Sequence, residues 1–213
     1  KKINKMKNLK LEGLSVHIGS QITSTKPFKK VLNVIDKLIS KTKINFKFID
    51  LGGGMGISYS NKDKKLNLSQ YGKFVKKFAE SKKTKIIFEP GRFIAGNTSI
   101  LVSKIIYIKK SNNKKFVILD AGMNDLMRPA LYGAKHKIIP LKKSNKKIFG
   151  NIEFVGPICE SSDKFLNQKN FPKIKEGDYV AITDVGAYGM SLSSNYNTRP
   201  IIAEIMVNGS KYR

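Results

Sequence analysis

The first 95 or so residues alternate short apolar runs, each closed by a glycine or proline turn, with longer amphipathic stripes. That order leaves few folds open. Residues 11–17 (LEGLSVH) read as a strand. Pro27 opens a helical pattern with Phe28, Val31, Leu32, Ile35, Leu38 and Ile39 at the i, i+3, i+4, i+7 spacing of one apolar face. Residues 46–51 (FKFIDL) form a second buried strand, stopped by Gly52-Gly53-Gly54. Ser69 is the expected N-cap of a second stripe, Tyr71, Phe74, Val75, Phe78 and Ala79. A third strand, 85–89 (KIIFE), ends at Pro90-Gly91. Strand, helix, strand, helix, strand predicts a parallel sheet with helical crossovers.

After Gly96 the texture changes. Residues 100–108, 116–120, 136–140, 148–155, 178–184 and 201–207 are strand-like runs between Asn, Gly, Ser and Lys turns, with 124–131 as a short helix. The expectation is an α/β part over 1–97 and a mostly antiparallel β part over 98–213. Three parallel strands and two helices leave sheet edges and faces uncovered. Together with a start at Lys1, this implies a further segment on the N-terminal side.

Charge narrows the function. The chain holds 41 Lys+Arg against 15 Asp+Glu, a formal charge of +26. A basic face is the footprint of phosphate binding, but 37 of these residues are lysines scattered over every predicted element, the pattern of a solvated surface. Nucleic-acid binding is therefore not expected. The four arginines say more. Arg92, Arg128 and Arg199 sit beside glycine or proline, where a rigid donor fork can grip a carboxylate or phosphate. No apolar run approaches the ~18 residues that cross a bilayer, and no secretory leader is visible, so no membrane partner is expected. The single cysteine, Cys159, forms no internal disulfide and fits a reducing, cytoplasmic setting.

The polar candidates in the α/β part all follow predicted strands, on the rim where α/β sheets bind ligands. His17 and Ser20 (HIGSQ) follow the first: the imidazole is either structural or free to stack on a ring or move a proton. Gly52-Gly53-Gly54 follows the second, as a tight turn or as a nest of amides around an anion. Glu89-Pro90-Gly91-Arg92 follows the third, where a mutual salt bridge is the plain alternative to a site. In the β part, Cys159 adjoins Glu160, Ser161, Ser162 and Asp163. That run is too polar for an inert core thiol, and it favours a reactive or proton-donating one.

Taken in order, HIGSQ, DLGGGMG, EPGR, DAGMNDLMRPALYGAKH, VGPICESSD and DVGAYGMSLSSNYNTRP span essentially the whole chain. Together they resemble the group IV decarboxylases that use pyridoxal phosphate, in their diaminopimelate-type branch. The resemblance implies the C-terminal part of a (β/α)8 barrel followed by a β-barrel or sandwich domain. It implies a homodimer with active sites shared across the interface, and a small amino-acid substrate. It implies that the cofactor ring stacks on His17, that Ser20, Gly53 and Gly54 hold the phosphate, and that Pro90, Gly91, Arg92 and Tyr188 line the cofactor. Glu89 would keep the pyridine nitrogen protonated. Arg92, Arg128, Tyr132, Glu160 and Tyr188 would bind substrate, and Cys159, reaching in from the other subunit, would protonate the reacting carbon.

Ornithine-type relatives carry Asp after that cysteine. Glu160 is therefore the discriminating residue, reaching the distal ammonium of meso-2,6-diaminopimelate while Arg128 takes the retained carboxylate. The implied reaction yields L-lysine and CO2, the last step of bacterial lysine synthesis. Carboxynorspermidine, arginine or ornithine as substrate, or a non-catalytic binding relative, are the alternatives. Family members are about twice as long, and the lysine that anchors the cofactor lies on their first barrel strand. None of the lysines here matches it, so this chain alone is expected to be inactive and poorly folded.

Overall fold

The computed structural model describes residues 2–60, 63–112, 114–142 and 151–213. The chain divides into two compact units, Lys1–Gly96 and Asn97–Arg213.

In the first unit, β1 (Gly13–Ser15), β2 (Phe48–Asp50) and β3 (Lys85–Ile87) make a parallel sheet in that order, with Ser15 opposite Asp50 and Asp50 opposite Ile87. The ladders are shorter than the apolar runs. Beyond them single bonds persist, from Val16 N–H to the Asp50 carbonyl (2.9 Å) and from Leu51 N–H to the Ile87 carbonyl (3.0 Å), before the three chains turn away. That early divergence frees His17, Gly52–Gly54 and Glu89 from the sheet and leaves them on its C-terminal rim.

The crossovers are α1 (Thr25–Thr42) and α2 (Leu68–Lys82). The Ser24 hydroxyl accepts the Lys26 N–H to cap α1, whose Phe28, Leu32 and Ile35 are buried while Leu38, an expected member of the stripe, is exposed. The cap of α2 is Asn67 rather than Ser69. Its Oδ1 accepts the Gln70 N–H at 2.9 Å, so the helix starts two residues before the expected cap allows. Tyr71 is the hub of this core, 4.7 Å from the Phe28 ring centroid and 5.4 Å from that of Phe74. Burial pushes its phenol up to about 12. A short helix, α3 (Gly91–Ala95), stands where the sequence suggests only a turn.

The second unit holds β4 (Leu101–Ser111), β5 (Lys114–Leu119), α4 (Arg128–Tyr132), β6 (Ile138–Pro140), β7 (Asn151–Val155), β8 (Lys164–Lys169) and β9 (Tyr179–Ile182). They form one six-stranded sheet in the order β6-β9-β4-β5-β7-β8, antiparallel at four of five pairings and parallel between β5 and β7. Fully buried Ile105, Leu119, Phe154, Phe171 and Ile182 form its core, with Phe154 and Phe171 edge-on at 4.9 Å.

Three expectations are corrected here. The strand β8 is not among the runs expected from sequence. The helix begins at Arg128, not 124, because 122–127 is held as a turn by its own side chains. The run 201–207 is exposed apart from Ile202, which packs half-buried against the core. Its end alone pairs: Val207–Asn208 (β10) with Lys211–Tyr212 (β11), in a hairpin turned at Gly209 and continued by the two backbone bonds between Met206 and Arg213. Of the expected strand 148–155, residues 148–150 lie outside the described residues. No helix among the described residues is long and apolar enough to cross a membrane.

Candidate active site

On the rim of the first unit the three strand exits lock together around the glycines. Gly53 N–H donates to His17 Nδ1 at 3.3 Å, so Nδ1 carries the lone pair and a neutral ring carries its proton on Nε2. Glu89 N–H donates to the Gly52 carbonyl (2.9 Å), and Ile22 N–H to the Gly54 carbonyl (2.8 Å). A Cβ at Gly53 would collide with the Glu89 carbonyl, and one at Gly54 with the Gly19 carbonyl. Gly54 also has φ 87°, a region L side chains avoid. The triplet is therefore required by close backbone approach as well as by conformation.

Arg92, in α3, does not pair with Glu89. Its guanidinium donates to Tyr59 Oη (2.6 Å) and Ser20 Oγ (3.2 Å). Among the described residues the exposed Glu89 carboxylate has no hydrogen-bond or ion-pair partner, and neither has the Gly54 N–H. The hydroxyl proton of Ser20, the Gly54 amide and a cation at Ser20 make a donor set suited to a phosphate. A flat imidazole fixed at Nδ1 and an unpaired carboxylate complete what a phosphorylated pyridine ring needs. The residues fit pyridoxal phosphate. Pro90 caps α3, and at the exposed Gly91 a Cβ would meet nothing within 4 Å.

In the second unit Cys159 and Glu160 lie exposed on the loop 156–163 between β7 and β8. Asp163, buried, closes that loop: its carboxylate accepts N–H bonds from Ile158 (2.8 Å) and from Met123 (2.7 Å) in a neighbouring turn. Burial nevertheless pushes its carboxyl up, against the pull of the two N–H donors. A Cβ at Gly156 would overlap this carboxylate. The Met123 turn is itself braced. Asp125 accepts from Gly122 N–H and from the Asn124 amide (2.8 Å each), and its carboxylate lies 3.7 Å from Arg199, which also donates to the Asp120 carbonyl. Arg199 is thus a brace, not the ligand site its sequence surroundings suggest.

Tyr196 donates its phenol to Glu160 Oε1 at 2.6 Å, and that bond, followed by the carboxylate's charge, pushes the phenol above its ordinary value. Arg128 is buried as the first residue of α4 and donates from Nη1 to His136 Nε2 at 2.9 Å. Tyr132 ends α4 exposed. Tyr188 is exposed at φ 63°, a conformation costly for a tyrosine, next to a Gly189 whose Cβ would strike the Val185 carbonyl.

The structure therefore gathers the α/β candidates on one rim, and the Cys159–Glu160 loop against the turn preceding Arg128. Sequence reasoning missed Asp163, Tyr196 and His136 as partners. A buried acid inside CESSD and a tyrosine inside SNYNTR were the available signals.

The family model for the pyridoxal-dependent decarboxylase C-terminal sheet domain matches residues 25–186. This chain belongs to the pyridoxal-dependent decarboxylases. Among curated members of the family, diaminopimelate decarboxylase of Aquifex aeolicus is 42% identical over 97% of this chain and 50% of its own length. The crystal structure of diaminopimelate decarboxylase from M. jannaschii with L-lysine superposes with a TM-score of 0.91 at 34% identity, covering 98% of this chain and 50% of that one. The Helicobacter pylori enzyme with L-lysine gives 0.87 at 39%, covering 99% and 52%. The chain spans about half the length of the curated relatives it matches.

Proposed function

We propose that the protein is a pyridoxal-phosphate decarboxylase of meso-2,6-diaminopimelate, releasing CO2 and L-lysine, the closing step of lysine synthesis. The observation that carries this reading is that the chain holds both an exposed carboxylate at Glu160, next to the Cys159 thiol, and a buried guanidinium at Arg128 oriented by its neighbour. A substrate with an ammonium and a carboxylate at its far end needs both signs of charge, whereas a simple diamine precursor needs no distal arginine.

When bound, the cofactor supplies an electron-withdrawing ring that takes up the electron pair left as the C–CO2 bond breaks. Ser20, the Gly54 amide and Arg92 bind the phosphate, with Gly53 fixing His17 against the ring face. Glu89, a lone carboxylate, holds a proton on the ring nitrogen by favouring its charged form. Arg128 takes the retained carboxylate in its fork, and Glu160 takes the distal ammonium. Cys159 Sγ–H gives its proton to the carbon that lost CO2. Arg92, Tyr132 and Tyr188 complete the substrate and cofactor walls.

The first unit is read as the closing portion of a (β/α)8 barrel. The working form is read as a cytoplasmic homodimer in which Cys159 and Glu160 serve the partner's site. The test is product analysis with protein purified from its complete coding region and loaded with pyridoxal phosphate. L-lysine and CO2 in equal amounts from meso-2,6-diaminopimelate, falling on the order of a hundredfold in Cys159→Ala, are expected. Release of a diamine from ornithine with no lysine formed would contradict the reading.

A further inference from the structure

Of the buried ionisable groups outside the proposed chemistry, His136 is the one whose two ring nitrogens are assigned by their partners. Nδ1 faces the Thr183 carbonyl at 2.9 Å, and a carbonyl only accepts, so Nδ1 carries a proton. Nε2 faces Arg128 Nη1 at 2.9 Å, and a guanidinium only donates, so Nε2 carries the lone pair. Together the two contacts select the neutral ring in a single tautomer. A second proton would set an N–H against the guanidinium.

The local fold makes the meeting possible. α4 starts at Arg128 and stops at Gly133, whose φ of 61° turns the chain back, so that His136 returns to Arg128 eight residues later. His136 then leads into β6, and Thr183 follows β9, the strand paired with β6. The imidazole thus extends the β6–β9 ladder by one side-chain bond. It ties Arg128 to strands whose Ile138 and Ile182 are 1% and 0% exposed. His136 itself is 2% exposed and Arg128 6%, so neither head group has bulk water to turn in. Pinning one Nη of a planar guanidinium sets the plane of the whole fork, and that plane governs two-point recognition of a carboxylate.

We infer that His136 is a positioning residue that orients Arg128 for the retained carboxylate of the substrate, acting as a hydrogen-bond acceptor and not as an acid or base. The inference rests on the proposed role of Arg128. Its test uses the pyridoxal-loaded protein from the complete coding region. L-lysine binding is measured by calorimetry, and kcat and KM are measured with meso-2,6-diaminopimelate.

His136→Phe keeps the ring volume and removes the acceptor, whereas His136→Gln places an amide oxygen near the Nε2 position. The Phe variant should weaken L-lysine binding and raise KM about tenfold, with kcat changed by less than about threefold, and Gln should restore most of the loss. If His136→Phe does not fold, His136→Asn replaces it, keeping a donor toward Thr183 without reaching Arg128. Unchanged binding in the variant lacking the acceptor, equal impairment in Gln and Phe (or Asn), or an effect confined to kcat would overturn the inference. Arg128→Lys separates the two levels. If it weakens L-lysine binding while His136→Phe does not, the inference alone fails. If it leaves binding intact, the role of Arg128 fails and the inference with it.

Discussion

Tyr196 donates its phenol proton to Glu160 Oε1 at 2.6 Å, joining a loop of the SNYNTR segment to the residue after Cys159. The bond fixes the direction of a carboxylate that is otherwise exposed. Tyr196→Phe releases that carboxylate, so it should raise KM for meso-2,6-diaminopimelate severalfold, with little change in kcat. Steady-state kinetics check it.

The same contact has a spectroscopic signature. The hydrogen bond to Glu160, and then the carboxylate's charge, raise the Tyr196 phenol above the ordinary 10, so the folded protein holds that proton more tightly than the unfolded chain. Its contribution to stability is present below pH 10 and is lost as pH rises through the folded value. Ultraviolet titration of the protein minus Tyr196→Phe should show one late-ionising tyrosine, and Glu160→Gln should bring it back toward 10.

Asp163 closes the loop that carries Cys159 and Glu160. Asp163→Asn keeps the shape but turns one of two N–H acceptors into a donor that faces another donor. The expected cost is about 1–3 kcal/mol in urea unfolding, with faster alkylation of Cys159 as the loop loosens. Gly156→Ala, which pushes the carboxylate aside, should act in the same direction.

Gly53→Ala places a methyl group on the Glu89 carbonyl, which is backbone and cannot swing away. A loss of at least about 2 kcal/mol in unfolding free energy is expected, together with weakened pyridoxal phosphate binding. Denaturant midpoints and cofactor absorbance report the two effects separately.

At the surface, Glu12 is held down to about 2 from an ordinary 4.5, first by its hydrogen bond to Lys47 and then by Lys10. Because the folded value is the lower one, this contribution is complete above about pH 4.5 and lost as pH falls through 2. The melting temperatures of the protein and Glu12→Gln should therefore differ most at neutral pH and converge near pH 2. The gap should shrink in high salt, because the pair is exposed.

Much of the first unit was legible because glycine and proline punctuate it: β2 and β3 end shortly before Gly52 and Pro90, where the chain turns off the sheet. The cap of α2 was misplaced because Asn67 and Ser69 are both competent, and only the reach of Asn67 Oδ1 to Gln70 decides between them. The strand β8 was hidden by its composition. In KFLNQK, Phe165 alone is buried, so period-2 alternation is faint. Run 201–207 misled in the opposite way: its apolar residues promise a strand, but Ile201 and Ile205 are exposed and lie outside every strand. Within the site, residue types were readable from motifs, but their partners were not. Glu160 with Tyr196 and Arg128 with His136 depend on turns that bring separate segments together, and hydrophobic periodicity does not encode those turns.

The most direct test of the central claim is a comparison of kcat/KM for CO2 release from meso-2,6-diaminopimelate, ornithine, arginine and carboxynorspermidine. It should use the pyridoxal-loaded protein from its complete coding region, alongside Glu160→Asp. The account predicts a preference for diaminopimelate of at least about a hundredfold, eroded by the shorter acid. A preference for any of the other three, or a purified protein that takes up no pyridoxal phosphate, would contradict it.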